Sequence, residues 1–372
     1  MRPRTSARRR ATALLVASVC CAPLSDGRSA DDLRPVDVFR SGRGGYHTYR
    51  IPALLVAPDH ALLAFCEGRK TSRADHGDVD LVLRRSRDGG RTWSALQLVF
   101  EDGGTQQVTI GNPCPVVDRD TGRIWLPFTR DNDRVYVTSS GDNGGRWEPP
   151  REITATVKSE DWTWYATGPG VGIQLRQDRF KGRLVIPCDH RVRGAGSRSH
   201  STRSHVIYSD DHGRTWRAGK ATDWLMNECA VVELPDGRLL LNMRSNRGRQ
   251  RRGVAWSRDG GQSWSPAVDA ETLIEPVCQA SLMGYAGSAA GLLLFCNPAS
   301  TSQRARLTVR SSRDAGSTWS AGRVIDKGPA AYCCLAQLPD GDVGLLYERG
   351  GYSALTFVRF PLAWLSAAPR SD

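Results

Sequence analysis

The feature that most constrains the fold is a repeated pair of apolar strands joined by a polar turn. Six copies start 49 to 62 residues apart, near Ala53, Pro115, Gly172, Val231, Ala280 and Leu335. Turn pairs such as Asp236-Gly237 and Asp340-Gly341 are typical of β-hairpins. The chain shows little helical periodicity, and repeats of this length made only of strands predict the blades of a propeller.

A second repeated element follows five of the six hairpins and reads Ser-x-Asp-x-Gly-x-(Ser/Thr)-Trp. The copies are Ser86–Trp93, a degenerate Ser140–Trp147, Ser209–Trp216, Ser257–Trp264 and Ser312–Trp319. Serine and aspartate side chains bond to nearby backbone groups in tight turns, and glycine adopts backbone angles that other residues avoid. We interpret these boxes as structural turns whose tryptophans pack between hairpins.

The two repeats together predict an all-β, six-bladed β-propeller in which each blade is a pair of hairpins. The sixth unit lacks a box and ends with the strand Ala354–Phe360. We expect the early strand Pro35–Phe39 to pair with it, which closes the ring and leaves no free sheet edge. No linker or change in composition divides residues 31–372, so they are predicted to form a single domain.

The N-terminus has the pattern of an export signal. Five arginines lie in the first ten residues, and residues 11–24 form an uncharged, mostly apolar run. This pattern predicts a signal peptide over residues 1–30, cleaved between Cys20 and Ala30, and hence a secreted or periplasmic protein. A lipid anchor at Cys20 is less favoured, because Val19 is a poor residue before a lipidated cysteine. No apolar run approaches the length of a membrane span.

Charge and cysteine content argue against a nucleic-acid-binding protein and against a zinc protein. The net charge of +12 falls to +7 without residues 1–30, and we interpret the basic run Asn246–Arg252 as a solvated loop rather than a nucleic-acid site. No cysteine spacing indicates zinc. Cys66, Cys188 and Cys296 end apolar runs, where a buried thiol acts as a small hydrophobic group. The sequence implies no cofactor and no metal.

The boxes resemble the Asp boxes of sialidases, and Tyr49–Pro52 resembles their YRIP motif. Further matching segments follow in order: Phe65–Arg69, Trp164–Gln174, Asn227–Leu234, Asn242–Ser245, Arg304–Arg310, Gly328–Leu335 and Tyr347-Glu348. The resemblance covers nearly all of residues 33–360. It is to retaining exo-sialidases of the bacterial type, which are six-bladed propellers, so it implies the same fold that the repeats predict.

The resemblance implies three arginines that bind the substrate carboxylate. The matching positions are Arg50, Arg244 and Arg304, with Arg306 as a competitor of Arg304 two residues away. The chemistry agrees, because sialic acid carries a carboxylate on its anomeric carbon and the guanidinium fork recognises carboxylates in a bidentate way. Glu348 resembles the acidic residue that orients the first arginine. A further arginine, in the Phe65–Arg69 segment, is expected to contact a ring substituent.

The resemblance also implies the reacting groups. Sialidases use a tyrosine nucleophile, and Tyr332 matches it, with Glu228 as the base that takes its proton. A neutral phenol avoids the repulsion that a carboxylate nucleophile would meet at a carbon already bearing one, but it needs an adjacent base. The acid/base residue is an aspartate after the first hairpin, for which Asp75 fits best. Asp78 competes with it, and Asp80 enters a strand.

The predicted function is therefore an exo-α-sialidase that hydrolyses terminal sialic acids of glycoproteins, glycolipids or oligosaccharides with retention. Its predicted partners are sialylated glycans, and we expect a monomer. Alternatives on the same fold are a trans-sialidase and a hydrolase of a related nonulosonic acid. A noncatalytic, glycan-binding propeller is the alternative from another class; its signature would be the loss of Tyr332, Glu228 or an arginine, and all are present.

Overall fold

The structure is a computed structural model that describes Met1 and residues 33–287 and 291–366. The predicted signal peptide lies outside the described residues, apart from Met1. The described residues from Leu33 onward belong to one compact unit. Among them, no helix has the length and apolar character needed to cross a bilayer.

The strands of the described residues form six antiparallel groups. The first strand in the chain, β1 (Val36–Arg40), belongs to the last of them. Group 1 comprises β2 (Thr48–Val56), β3 (Leu62–Arg69), β4 (Val79–Ser86) and β5 (Gln97–Phe100). Group 2 comprises β6 (Ile110–Gly111), β7 (Val116–Asp118), β8 (Arg123–Arg130), β9 (Arg134–Ser140) and β10 (Arg151–Glu152). Group 3 comprises β11 (Trp162–Thr167), β12 (Ile173–Gln174), β13 (Leu184–Val192), β14 (Thr202–Ser209) and β15 (Arg217–Ala218).

The second half of the chain continues this pattern. Group 4 comprises β16 (Met226–Glu233), β17 (Leu239–Ser245), β18 (Arg251–Ser257) and β19 (Val268–Ile274). Group 5 comprises β20 (Ser281–Tyr285), β21 (Leu292–Pro298), β22 (Ala305–Ser312) and the first part of β23 (Arg323–Gln337). Group 6 comprises the rest of β23, β24 (Val343–Arg349), β25 (Ala354–Phe360) and β1. The described helical segments are α1 (Thr154–Val157) and two short 3-10 turns, Asp178–Phe180 and Leu362–Ser366.

One strand is shared by groups 5 and 6, and one pairing joins the first strand of the series to the last. The long strand β23 serves two groups, because its residues up to Pro329 pair with β22 and those from Ala330 pair with β24. Strand β1 pairs with β25, with Val36 opposite Phe357 and Arg40 opposite Ala354. The predicted pairing of an early strand with the last strand is therefore confirmed, one residue later in the chain than expected at both of its ends.

Apolar clusters join each group to the next one and group 6 back to group 1. Phe65 of group 1 packs with Phe128 of group 2, and Leu54 of group 1 packs with Phe357 of group 6. Similar clusters lie between groups 2 and 3, 3 and 4, 4 and 5, and 5 and 6. Burial of these surfaces is the main favourable contribution to folding. The all-β prediction is confirmed, and the cyclic packing supports the six blades, whose number stays a prediction.

Each box forms the turn between the last two strands of its group. In group 3, Ser209 Oγ donates to Asp211 Oδ1 at 2.8 Å. The backbone N–H of Gly213, which has a φ of +81°, donates to Ser209 Oγ, and that of Thr215 donates to Asp211 Oδ1, both at 2.8 Å. The five boxes share these three bonds. The interpretation of the boxes as structural turns is therefore confirmed.

The box tryptophans pack at the interfaces between groups, as predicted. Trp216 is 1% exposed and belongs to the cluster between groups 2 and 3. Trp93 meets the ring of Phe357 of group 6 at 5.5 Å between centroids, and Trp147 of group 2 meets Phe65 of group 1 at 5.7 Å. The turn and the core are thus linked through one aromatic side chain in each box.

One expectation about charge is wrong in part. The run Asn246–Arg252 is expected to be a solvated loop, and residues 246–250 do form one, but β18 begins at Arg251 and the side chain of Arg252 is fully buried. Arg252 forms a 2.6 Å ion pair with the buried Glu275. A buried charge needs such a partner, and the partner lies 23 residues away, beyond any local pattern. The eight described cysteines are free and buried, in agreement with thiols that act as small hydrophobic groups.

Candidate active site

The predicted site residues lie on the first two strands of their groups or in the loops that follow the second strand. Arg50 is on β2, Tyr332 on β23 and Glu348 on β24, whereas Glu228 and Arg244 are on the neighbouring strands β16 and β17. The boxes occupy the opposite side of groups 1 to 5, between the last two strands of each. The site and the repeated turns are therefore built from different parts of the same sheets.

Arg50 and Glu348 form a buried ion pair that also holds the nearby backbone. Arg50 Nε donates to Glu348 Oε1 at 2.6 Å, and the two side chains are 8% and 0% exposed. The backbone N–H groups of Ile51 and Tyr332 each donate to Glu348 at 3.1 Å. Burial opposes the charge on Arg50, but Glu348 outweighs it and raises the arginine pKa. Glu348 thus fixes the position of both Arg50 and Tyr332.

Tyr332, Glu228 and Arg244 form a second hydrogen-bonded set. The Tyr332 hydroxyl donates to Glu228 Oε1, 104 residues away in sequence. Arg244 Nη1 donates to Glu228 Oε2 at 2.8 Å and to Tyr332 Oη at 3.2 Å. Burial, followed by the charge of Glu228, raises the pKa of Tyr332 well above its ordinary value. The phenol is therefore neutral in the free protein and lies beside a carboxylate that can accept its proton.

Three guanidinium groups surround Tyr332. The Cζ atoms of Arg50 and Arg304 lie 5.2 and 5.5 Å from the centroid of its ring, and Arg244 contacts its hydroxyl. The competing Arg306 is exposed and has a φ of +59°. The structure thus brings Arg304, and not Arg306, to the side of Tyr332, and the positive charge concentrated there suits an anion.

Asp75 lies at the open side of this cluster. Its Oδ1 atom accepts from Arg69 Nη1 at 2.8 Å and lies 3.5 Å from Arg50 Nη1, while its side chain is 73% exposed. Partial burial raises the pKa of Asp75, but Arg69 followed by Arg50 outweighs this effect and lowers the pKa below its ordinary value. Arg69 itself is held by Glu67 at 2.7 Å. A proton on Asp75 is therefore disfavoured until the positive field is neutralised.

The two other aspartates of this loop have other partners. Asp78 Oδ1 forms a 2.8 Å ion pair with Lys70. Asp80 is buried, lies 3.2 Å from Lys70 Nζ and accepts a 2.6 Å hydrogen bond from the Tyr46 hydroxyl. Of the three candidates, Asp75 is the one that the structure places against the arginines.

Three possible metal ligands lie close together in strand groups 2 and 3. Asp118, Asp120 and His212 offer ligand atoms that lie within 4.8 Å of one another. The oxygens of Asp118 already accept hydrogen bonds from Gln174 Nε2 at 2.8 Å and from Thr121 Oγ1 at 2.6 Å. These bonds account for the buried carboxylate without an ion, and the group shares no residue with the set around Tyr332.

The comparisons with known proteins agree with this geometry. Residues 60–345 match the family described as BNR repeat-like domain. A sialidase from Micromonospora viridifaciens is 39% identical over 355 residues, which are 88% of this chain and 54% of that protein. A sialidase from Bacteroides fragilis is 32% identical, over 84% of this chain and 62% of that protein. The chain belongs to the BNR-repeat sialidase family. It spans little more than half the length of these two sialidases.

This sialidase-family chain shares its fold with solved structures of sialidases and trans-sialidases. The structure named Hadza microbial sialidase Hz136 has a TM-score of 0.81 and 30% identity, over 89% of this chain and 69% of that one. An intramolecular trans-sialidase from Ruminococcus gnavus has a TM-score of 0.76 over 90% and 98% of the two chains, but only 19% identity. The second likeness concerns the fold alone.

Two residues at this sialidase-family site are not predicted by the sequence, and the first is Tyr352. The ring of Tyr352 lies 4.2 Å from the Cζ atom of Arg50, and its hydroxyl accepts from Arg304 Nη1 at 3.2 Å. Tyr352 thus contacts two of the three arginines. It follows Glu348 by four residues in a glycine-rich turn, and a tyrosine in such a turn carries no signal of its own.

A second missed residue is a carboxyl near Glu228. Asp189 on β13 is completely buried, and neither of its oxygens has a hydrogen-bond partner among the described residues. Burial, followed by the charge of Glu228, raises the pKa of Asp189 well above its ordinary value. The protonated form is therefore favoured, which limits the cost of burying an unpaired carboxyl group.

Proposed function

We propose that this chain is a retaining exo-α-sialidase with Tyr332 as its nucleophile. The observation that carries the proposal is the hydrogen bond from the Tyr332 hydroxyl to Glu228, made where three guanidinium groups meet. A buried tyrosine with an ordinary structural role needs neither a carboxylate acceptor nor this surrounding charge.

The arginines account for recognition of the substrate. The sialic acid carboxylate would bind Arg50, Arg244 and Arg304, which are fixed in place by Glu348, Glu228 and Tyr352 respectively. Guanidinium groups held in this way recognise a carboxylate at little cost in side-chain entropy. Binding also neutralises the substrate charge, and this lowers the barrier to attack on the adjacent anomeric carbon.

The first chemical step joins Tyr332 to the sugar. Glu228 accepts the phenol proton as the tyrosine oxygen attacks the anomeric carbon, and the glycosidic C–O bond breaks. Asp75 gives its proton to the departing oxygen. Because the raised pKa of Tyr332 makes the free phenol unreactive, the adjacent base is a requirement of this step.

The second step releases the sugar with retained configuration. Asp75 accepts a proton from water, whose oxygen attacks the anomeric carbon, and Glu228 returns the proton to Tyr332 as the bond to tyrosine breaks. The lowered pKa of Asp75 in the free protein opposes its role as an acid in the first step. A bound carboxylate reduces this conflict, because it offsets the field of Arg50 and so raises the proton affinity of Asp75, although the larger effect of Arg69 remains.

The test is hydrolysis of a fluorogenic α-sialoside by the full chain, with NMR detection of the first anomer released. We expect the α-anomer of free sialic acid to appear before it equilibrates with the β-anomer. A β-anomer as first product would contradict double displacement, and an anhydro or transferred sugar would favour the trans-sialidase alternative. No release across a broad pH range would leave a noncatalytic glycan-binding protein.

A further inference from the structure

We propose that a cavity beside the Asp75 loop is an accessory subsite for an anionic sugar on the leaving-group side of the substrate. This inference rests on the proposed function and names the class of glycan that the site prefers. The cavity has a volume of about 380 Å³, and its lining includes His76, Trp164, Arg191, Arg193, Arg198 and Ser201. This volume lies within the range of about 300–1,000 Å³ found for ligand pockets.

The position of the cavity follows from its first lining residue. His76 comes directly after Asp75, which we assign to protonation of the departing oxygen. The opposite wall comes from the β11 residue Trp164 and from the segment that follows β13. A cavity that adjoins the acid would receive the part of the glycan that leaves, and not the sialic acid that is retained on Tyr332.

The charge of the cavity indicates an anionic occupant. Arg191, Arg193 and Arg198 line it together, and among the described residues none of the three forms an ion pair with a carboxylate. The Nε atom of Arg191 is buried and has no hydrogen-bond partner among those residues. A buried polar atom without a partner is costly. Within the described part of the chain this guanidinium lacks the anchoring carboxylate that Arg50 and Arg69 have, so its charge at the cavity wall is left for an anion to neutralise.

The remaining lining suits a sugar rather than a small inorganic ion. The Cζ atom of Arg191 lies 4.7 Å from the centroid of the Trp164 ring, so the indole and the guanidinium are close together at the wall of one cavity. The indole provides apolar surface for a pyranose ring, and the guanidinium provides donors for its charged group. Carboxylate-bearing and sulfated sugars share this chemistry.

The experiment compares kcat/KM for three substrates of the full chain. The first is sialyllactose, whose leaving group is neutral; the second is an α2,8-linked disialyl glycoside, whose leaving group carries a carboxylate; the third is sialyl-lactose sulfated on galactose. We expect both anionic substrates to be favoured by about tenfold, mainly through KM, since each charge-assisted contact is worth roughly that factor. The preference should fall with rising salt because charge interactions are screened.

The variants test whether the cavity is responsible. The double variant Arg193→Ser/Arg198→Ser should lower the ratio of anionic to neutral kcat/KM about tenfold. The matched control Arg249→Ser removes an exposed arginine on another strand group, paired with Asp269, and should leave the ratio unchanged. A preference for only one anionic substrate would identify whether carboxylate or sulfate is the natural group.

Four outcomes would overturn the proposal. Equal kcat/KM for the neutral and both anionic substrates would remove the subsite and leave the proposed function intact. A wild-type ratio in the double variant would place the preference elsewhere. If none of the three substrates were hydrolysed, the proposed function, on which the subsite rests, would instead be refuted. Inhibition by a short DNA duplex that the double variant alone escapes would assign the cavity to nucleic acid.

Discussion

The boxes and the cluster around Tyr332 are both dense networks of hydrogen bonds, but they are built in opposite ways. Inside the box of group 3, the bonds join residues two to four positions apart. In the cluster, Arg50 meets Glu348 across 298 positions and Tyr332 meets Glu228 across 104. A box can form wherever its eight residues occur, whereas the cluster exists only when distant strand groups pack correctly.

The two regions also treat charge differently. The box aspartates are exposed or partly exposed, and hydrogen bonds to their carboxylates lower their pKa values. The cluster is buried, so its groups depend on one another for their charge states, and Tyr332 has a raised pKa. The comparison teaches that the boxes are built as local supports of the fold, while the cluster carries buried charge that the proposed chemistry would use.

The largest expected effect is that of Arg50→Met. It removes a carboxylate ligand and leaves Glu348 buried without its partner, so turnover should fall by at least about 10³-fold and the free energy of unfolding by about 3–5 kcal/mol. Arg306→Met is the matched control, since that side chain is exposed. Sialoside hydrolysis and urea unfolding measure both effects. Equal losses in the two variants would contradict the assignment of the arginines.

The next effect separates the candidate acids. Asp75→Asn should reduce kcat for a substrate with a poor leaving group by about 10²–10⁴-fold, and much less for an activated aryl sialoside, because only the former needs a proton donor. Asp78→Asn breaks a surface ion pair with Lys70 and should leave both rates near wild type. If Asp78→Asn showed the dependence on leaving group instead, the roles of the two residues would be exchanged.

A third prediction concerns the boxes. Trp216→Ala should lower the free energy of unfolding by about 3–5 kcal/mol, because the side chain is buried between two strand groups. The folded variant should keep its kcat. The control is Trp224→Ala, whose side chain is 43% exposed, and thermal unfolding is the measurement. A Trp216→Ala variant that melts normally but is inactive would break the separation between the two regions.

The smallest effect is a loss of stability in acid. The hydroxyl and backbone N–H of Thr318 lower the pKa of Asp314 to about 2, and, against some burial, Thr92 lowers that of Asp88 to about 2. Carboxyls with lowered pKa values stabilise the fold above their unfolded value near 4, and this stability is lost as the pH falls towards 2. The melting temperature should therefore fall over that window. Replacing both aspartates by asparagine should flatten the decline; an unchanged slope would contradict this source.

The difference between the two regions also explains what the sequence could predict. The boxes and the strand repeats follow from local patterns, so their positions are predicted almost to the residue. The pairing of β1 with β25 joins the two ends of the described series, and it is predicted because a closed ring leaves no free sheet edge. The site was identified through family motifs, which name residues without giving contacts. The pattern RxxLTVR favours Arg304 over Arg306, and the structure places Arg304, and not Arg306, beside Tyr332.

Apart from this closing pair of strands, features that depend on distant packing were not predicted. Tyr352 reaches Arg50 from the far end of the chain, and the buried pair Arg252–Glu275 replaces the end of an expected solvated loop. Asp189 becomes buried because β13 packs beside β16. In each case the decisive partner lies outside the window in which periodicity and turn signals operate, so the residue types alone favoured an exposed or unassigned role.

The measurement that tests the central claim most directly is the stereochemistry and rate of hydrolysis by Tyr332→Phe. This change removes the oxygen that donates to Glu228 and leaves the ring and the pocket nearly intact. We expect retaining turnover to fall by at least about 10³-fold, with a wild-type melting temperature and residual binding of free sialic acid. A Phe variant that released the α-anomer at the wild-type rate would show that Tyr332 is not the nucleophile.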